Sequence, residues 1–320
     1  MTLDTSSIHY RLQNDLEYFA ERAPLLVKTK DGRMVVFKLN AAQKLIHAKI
    51  EEQKKKTGRV RALLLKARQV GGSTYVAARF YHGATRNTGQ SVFILSHDSL
   101  ATGKLYRMVN RFQENISVPL RPEVGLSNKN QLVFPKLESD YSVATAGNEN
   151  AGRGGTAQKF HWSEVAYCPD PEAIQDGALE SIGDQDTEII LESTANGAVG
   201  LFYDKCMQAL KGIGDYILIF IPWFMMDEYE REYDNSLLTD DEERYLVNYL
   251  SEYSRDKALR KIMWMRYKIL DLKAPWKFKQ IYPSNPIEAF QASGTGLFDP
   301  EKIYAARKNV NLSADQFSPL

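Results

Sequence analysis

The sequence predicts an α/β fold, a mostly parallel sheet flanked by helices, followed by a small helical lid subdomain. Three observations carry this. From residue 61, short and nearly all-apolar runs alternate with helical stretches, the pattern of strands buried on both faces. The first run ends in a glycine turn that opens directly into a helix, as a phosphate-binding loop does. After Trp223 the texture changes, and residues 227–272 become highly charged and helical in pattern.

Taken in order, residues 1–50 read as helical, with a turn at Lys30-Asp31-Gly32-Arg33 and a short extended piece over Met34–Leu39. Asn40 stands where a cap would begin an amphipathic helix, Ala41–Glu52. Ala62–Ala67 is a strand and Ser73–Arg86 a helix; Ser91–Ser96 is a strand and Ser99–Glu114 a helix. Pro119–Lys129 is a loop, and Gln131–Phe134 with Tyr141–Ala146 form a strand pair. Lys159–Glu164 and Thr187–Thr194 are further strands, with a helix around Pro171–Ile182 between them. Val199–Leu210 is a helix, and Asp215–Trp223 the last apolar strand. Thr239 followed by Glu242 suggests a capping box. The expected organisation is an N-terminal helical region (1–60), a core (61–223), a lid (224–275) and a return to the core leading into a linker (276–320).

Composition excludes several classes. With 320 residues, 43% hydrophobic and 25% charged, the chain can bury one large core or two smaller ones. No apolar run approaches the ~20 residues of a membrane span. The N-terminus has no apolar stretch behind a basic start, so no secretory signal is expected. Cys168 and Cys206 lack metal-ligand spacing and read as reduced core residues, and the five histidines form no cluster in sequence. Net charge is +1, yet seven basic residues and no acid lie between Lys54 and Arg68. That run is either a solvated helix end or a contact for phosphates.

Four segments carry chemistry. In Arg61–Ala78, RALLLKARQVGGSTYVAA, Gly71-Gly72 supplies a tight turn and Ser73-Thr74 opens the helix. Gly72 stands where such a loop normally has its lysine, so the cation must come from elsewhere, and Lys66 and Arg68 flank the turn. In KFHWSE, Glu164 ends an apolar strand and is the candidate general base, with Ser163 at the position usually held by aspartate. In LESTANG, Ser193, Thr194 and Asn196 bring hydroxyl and amide groups to the C-terminal edge of the sheet, as a γ-phosphate sensor or as a capped turn. In GNENAGRGG, Arg153 is either an arginine finger or a surface loop residue. Upstream, the amide of Gln43 suits the adenine edge, against the plainer reading of an exposed helical glutamine.

With these pieces in sequence, the chain resembles the large terminase subunit of tailed bacteriophages, the ATPase that pumps DNA into the procapsid. Five segments between residues 40 and 300 carry the resemblance: the one around Gln43, KARQVGGST, KFHWSEVA, LESTANGAVGLFYD and YPSNPIEAFQASGTGLFD. It implies a P-loop NTPase fold of the RecA/ASCE-like type that binds ATP and Mg2+. Ser73 looks like the magnesium-side hydroxyl, Lys66 like a displaced Walker A lysine, and Arg68 like the arginine common to these loops. Gln69, Val70, Gly71, Gly72 and Thr74 complete the nucleotide-binding loop. Glu164 looks like the catalytic carboxylate of Walker B, reaching the metal through water, and Ser193–Gly197 like the coupling motif. Residues 225–275 resemble the small lid subdomain.

The implied partners are double-stranded DNA, the portal protein of the procapsid and the small terminase subunit. A homo-oligomeric ring is expected on assembly, with a monomer alone, in the host cell cytoplasm and away from any membrane. Large terminases usually continue into an RNase H-like nuclease domain; the later acids here lie in charged helices rather than at strand ends. The chain therefore reads as an isolated ATPase half that should not cut DNA. The alternatives are a helicase- or translocase-like P-loop ATPase and a nucleotide-binding scaffold that has lost hydrolysis.

Overall fold

The computed structural model describes residues 7–146, 157–180 and 182–291. Two short helices, α1 (Ile8–Asn14) and α2 (Leu16–Arg22), are capped by Ser7 and Asp15. A small antiparallel hairpin follows, β1 (Leu26–Lys28) with β2 (Met34–Val36). Helix α3 (Ala41–Thr57) begins at a capping box in which Asn40 and Gln43 satisfy each other's backbone N–H groups.

The remaining strands are β3 (Val60–Lys66), β4 (Ser91–Ser96), β5 (Leu126–Ser127), β6 (Gln131–Phe134), β7 (Ser139–Thr145), β8 (Lys159–Ser163), β9 (Glu188–Ser193) and β10 (Ile217–Ile221). They form one sheet in the order β10-β3-β9-β8-β4-β7-β6-β5. The first six in that order pair in parallel, and β6 and β5 extend the far edge antiparallel. Every residue of β3, β8 and β9 is buried, as expected where helices cover both faces. Alternation along β3 sorts the side chains: Ala62 and Leu64 enter one hydrophobic cluster, Leu63 and Leu65 the other.

The crossovers are α4 (Gly72–Arg86), α5 (Ser99–Asn115), α6 (Pro171–Ile174) and α7 (Leu201–Leu210). The helix expected around Pro171–Ile182 runs as one α turn and continues as a π-helix over Gln175–Leu179. The charged stretch after Trp223 becomes helical only at α8 (Asp240–Tyr249), behind the Thr239–Glu242 capping box, and then in α9 (Arg255–Leu272), α10 (Pro275–Ile281) and α11 (Pro286–Gln291). Residues 227–239 are irregular, and Asn235 takes a left-handed backbone there.

These last helices close on the sheet through aromatic rings. Trp264 stacks between Tyr229 (4.4 Å) and Trp223 (5.1 Å), and Phe278 and Tyr282 meet it edge-on. Their side chains share one hydrophobic cluster with β3 and α4. Among the described residues, no helix is long and apolar enough to cross a membrane.

The basic run resolves into specific pairs, most of them at the end of the sheet away from the glycine turn. Arg59 pairs with Asp184 and Asp215, and the buried Arg61 donates to the carbonyls of Val60, Thr187 and Gly183. Glu188, at the start of β9 and fully buried, accepts from Arg79 on α4 (2.6 Å), Lys54 on α3 (2.8 Å) and Lys159 on β8 (3.1 Å). Burial alone would raise its pKa, but these three cations outweigh that and hold the carboxyl well below its usual range.

Candidate nucleotide site

The site forms where β3 ends and α4 begins. The chain passes through Gln69 and Gly71, both in the left-handed region (φ 59° and 85°). Gly71 is the N-cap of α4 and has no side chain to cap it, so the first-turn N–H groups of α4 lack intrahelical acceptors and face outward at the positive end of the helix. The turn is tied from three sides. Gln43 Nε2 donates to Gly71 O (2.8 Å) and Asn40 Nδ2 to Val70 O (3.2 Å). Arg68 N donates to Ile281 O (3.1 Å), and the Tyr229 hydroxyl donates to Arg68 O (2.9 Å). The Arg68 and Gln69 side chains are exposed, Val70 is buried, and Thr74 is half-buried in the first turn of α4.

Gln43 was expected to offer its amide to an adenine edge. In the structure Oε1 accepts from Asn40 N (3.0 Å) while Nε2 meets the loop, and the residue is buried. Its side chain here ties α3 to the glycine turn.

Across from the turn lie the ends of β8 and β9. Lys66, the last residue of β3, places Nζ 3.0 Å from Glu164 Oε1 and 3.4 Å from Glu192 Oε1. Glu192 Oε1 also accepts from Ser73 Oγ (2.9 Å), and its Oε2 faces His161 Nε2 at 2.7 Å. Both Glu192 and His161 are buried. Burial would raise the Glu192 pKa; the charge of Lys66, the His161 contact and the Ser73 bond more than offset this and hold it at about 2. Burial likewise pulls Lys66 down, and the two carboxylates reverse the shift, so it stays protonated.

Glu164 sits just beyond β8 with a left-handed backbone (φ 58°), a strained conformation of the kind that persists where surrounding structure fixes it. Its carboxylate is partly exposed, and Ser193 Oγ and Thr194 N approach its Oε2 at a long 3.5 Å. The segment after β9 is bound to the turn after Glu164. Ala166 N donates to Ser193 Oγ (3.2 Å), Asn196 Nδ2 to Ala166 O (3.0 Å), and Tyr167 OH meets Thr194 Oγ1 (3.0 Å).

Comparison with solved structures returns the same architecture. The crystal structure of the HK97 bacteriophage large terminase aligns with TM-score 0.57 and 14% identity over 85% of this chain and 54% of that one. The large terminase ATPase domain of Thermus phage P74-26 aligns with TM-score 0.51 and 16% identity over 78% of this chain and 94% of that one. The chain has the fold of a terminase ATPase domain. It spans about half the length of the HK97 terminase. No protein-family model matches the sequence, and neither does any curated protein.

On this scaffold, the structure gathers Lys66, Ser73, Glu164, Ser193 and Thr194 at one edge of the sheet. Arg68 sits on the exposed side of the same turn, and Arg153 lies outside the described residues. Sequence reasoning missed Glu192 and His161. The available signal was an ionisable group inside an otherwise apolar strand, since a charged residue is almost never fully buried unless paired.

Proposed function

We propose that this chain is the ATP-hydrolysing motor portion of a viral genome-packaging machine, driving double-stranded DNA into a procapsid. The observation that carries the proposal is the single cluster of Lys66, Ser73 and Glu164 beside a helix start with uncapped N–H groups. A strand-borne ammonium, a helix-borne hydroxyl and a carboxylate are the parts phosphoryl transfer needs: charge neutralisation, metal placement and orientation of water.

The first-turn amides of α4 would cradle the phosphates, with Lys66 and Arg68 supplying positive charge. Glu164, the more exposed carboxylate, would orient and deprotonate the attacking water. The donor set suits Mg2+, because its hydroxyl and carboxylate oxygens are hard ligands, and one ammonium against two carboxylates leaves a net negative charge. Ser73, and Glu164 through water, would hold the ion; when bound it supplies neutralisation of the phosphate oxygens. The ties from Ser193, Thr194 and Asn196 to the Glu164 turn give a route by which a shift of that carboxylate moves the segment after β9.

The partners proposed with this function are duplex DNA held by its backbone, the portal, the small terminase subunit and further copies in a ring. The test is Mg2+-dependent ATP hydrolysis by wild type, Lys66→Ala and Glu164→Gln, with and without duplex DNA. Glu164→Gln is expected to lower turnover by about 100-fold or more while retaining nucleotide binding. Wild type that binds ATP but never hydrolyses it, even with DNA, would favour a nucleotide-binding scaffold instead.

A further inference from the structure

We propose that Glu192 supplies the magnesium-side carboxylate that position 163 lacks, with Ser73 as its hydroxyl partner and His161 as the residue that positions it. This rests on the ATPase reading and assigns a different residue to the metal than Glu164, which is left to act on water.

In the parallel pairing of β8 with β9, Ser163 and Glu192 are direct partners. Partnered residues in a ladder point to the same face, so the carboxylate has moved one strand sideways, about 4.8 Å, toward β3. The extra methylene of glutamate over aspartate extends its reach toward α4. There Glu192 Oε1 meets Ser73 Oγ at 2.9 Å, the hydroxyl–carboxylate pair that P-loop enzymes place on Mg2+.

The same move accounts for the missing loop lysine. A Cβ at Gly72 would lie 2.6 Å from Glu192 Oε1, so a side chain at that position requires a carboxylate held by Ser73, Lys66 and His161 to shift. Lysine has instead moved to position 66, where Nζ lies 3.4 Å from the same oxygen. Gly72 in place of lysine and Ser163 in place of aspartate are thus one rearrangement. His161, two residues before Ser163 and on the same face, holds Glu192 Oε2 at 2.7 Å. That contact leaves Oε1 directed at Ser73, as a metal ligand's outer partner fixes its orientation.

The experiment measures Mn2+ binding, read from the loss of the free-ion electron paramagnetic resonance signal, with ADP present, and ADP affinity by calorimetry in EDTA. Glu192→Gln is expected to weaken Mn2+ binding in the ADP complex by about tenfold or more, with metal-free ADP affinity unchanged. His161→Gln is expected to weaken Mn2+ binding in the same direction, again with no change in EDTA. The double variant Glu192→Gln/Ser163→Asp returns the carboxylate to β8 and is expected to recover Mn2+ binding. Should Glu192→Gln fail to fold by circular dichroism, Glu192→Asp, which keeps the charge but shortens its reach, is read in its place with the same expectation. Unchanged Mn2+ affinity in the position-192 variant, with wild type binding both ADP and Mn2+, overturns the assignment. Wild type that binds no nucleotide with or without metal overturns the ATPase reading itself.

Discussion

Gly72 is constrained by a neighbour rather than by its backbone, because a Cβ there would lie 2.6 Å from Glu192 Oε1. Gly72→Ala is therefore expected to cost about 1–3 kcal/mol of stability, read as a lower urea midpoint at unchanged slope. A gain in stability from that substitution would show that the glutamate yields easily. Lys66 is the second residue with a measurable role apart from chemistry. Its removal leaves a buried carboxylate without its cation, and Lys66→Ala is expected to lose about 3–5 kcal/mol in the same assay. An activity loss in that variant carries meaning only at temperatures where it remains folded.

Among the elements, α4 does the most, since one end faces the site and its buried side packs on α2 and on the sheet. His82 on its inner side packs at a tilt against Phe19 and donates from Nε2 to Leu12 O. Burial, the largest influence, pushes its pKa down to about 4 from the ordinary 6.5. The unfolded chain binds the extra proton first, so stability is full above pH 6.5 and falls as pH drops from there to about 4. His82→Gln, which keeps a donor for Leu12, is expected to flatten that slope in denaturation curves taken across this range. Some slope will remain, because burial also lowers His47. The strands of the core were legible as apolar runs, and the glycine turn and the two caps at Asn40 and Thr239 as local signals. Of the hairpin, the turn and β2 were legible as Lys30–Arg33 and the extended piece Met34–Leu39, whereas β1 and β5, two or three residues long and partly or largely exposed, were not. Loop residues and the strand-end Glu164 could be picked out along the chain. The contacts of Glu192 with Ser73 and His161 span 119 and 31 residues, and only strand order brings them together.

At the scale of the whole molecule, the helices after Trp223 share a core with the sheet rather than a polar seam, through Trp223, Tyr229, Trp264 and Phe278. One cooperative unfolding transition is expected, with tryptophan fluorescence and far-ultraviolet circular dichroism changing together. Separate midpoints would instead mark the region around α8–α10 as an independent unit. The buried Glu188 cluster bears on how the sheet can move. Strand β9 is clamped at its first residue by cations from β8, α3 and α4, whereas the residues just past its last are tied mainly to the turn after Glu164. Glu188 anchors one end and the ladders with β3 and β8 hold the strand as far as Ser193, so a small rearrangement around Glu164 is felt first in the short tip beyond it, Thr194–Asn196.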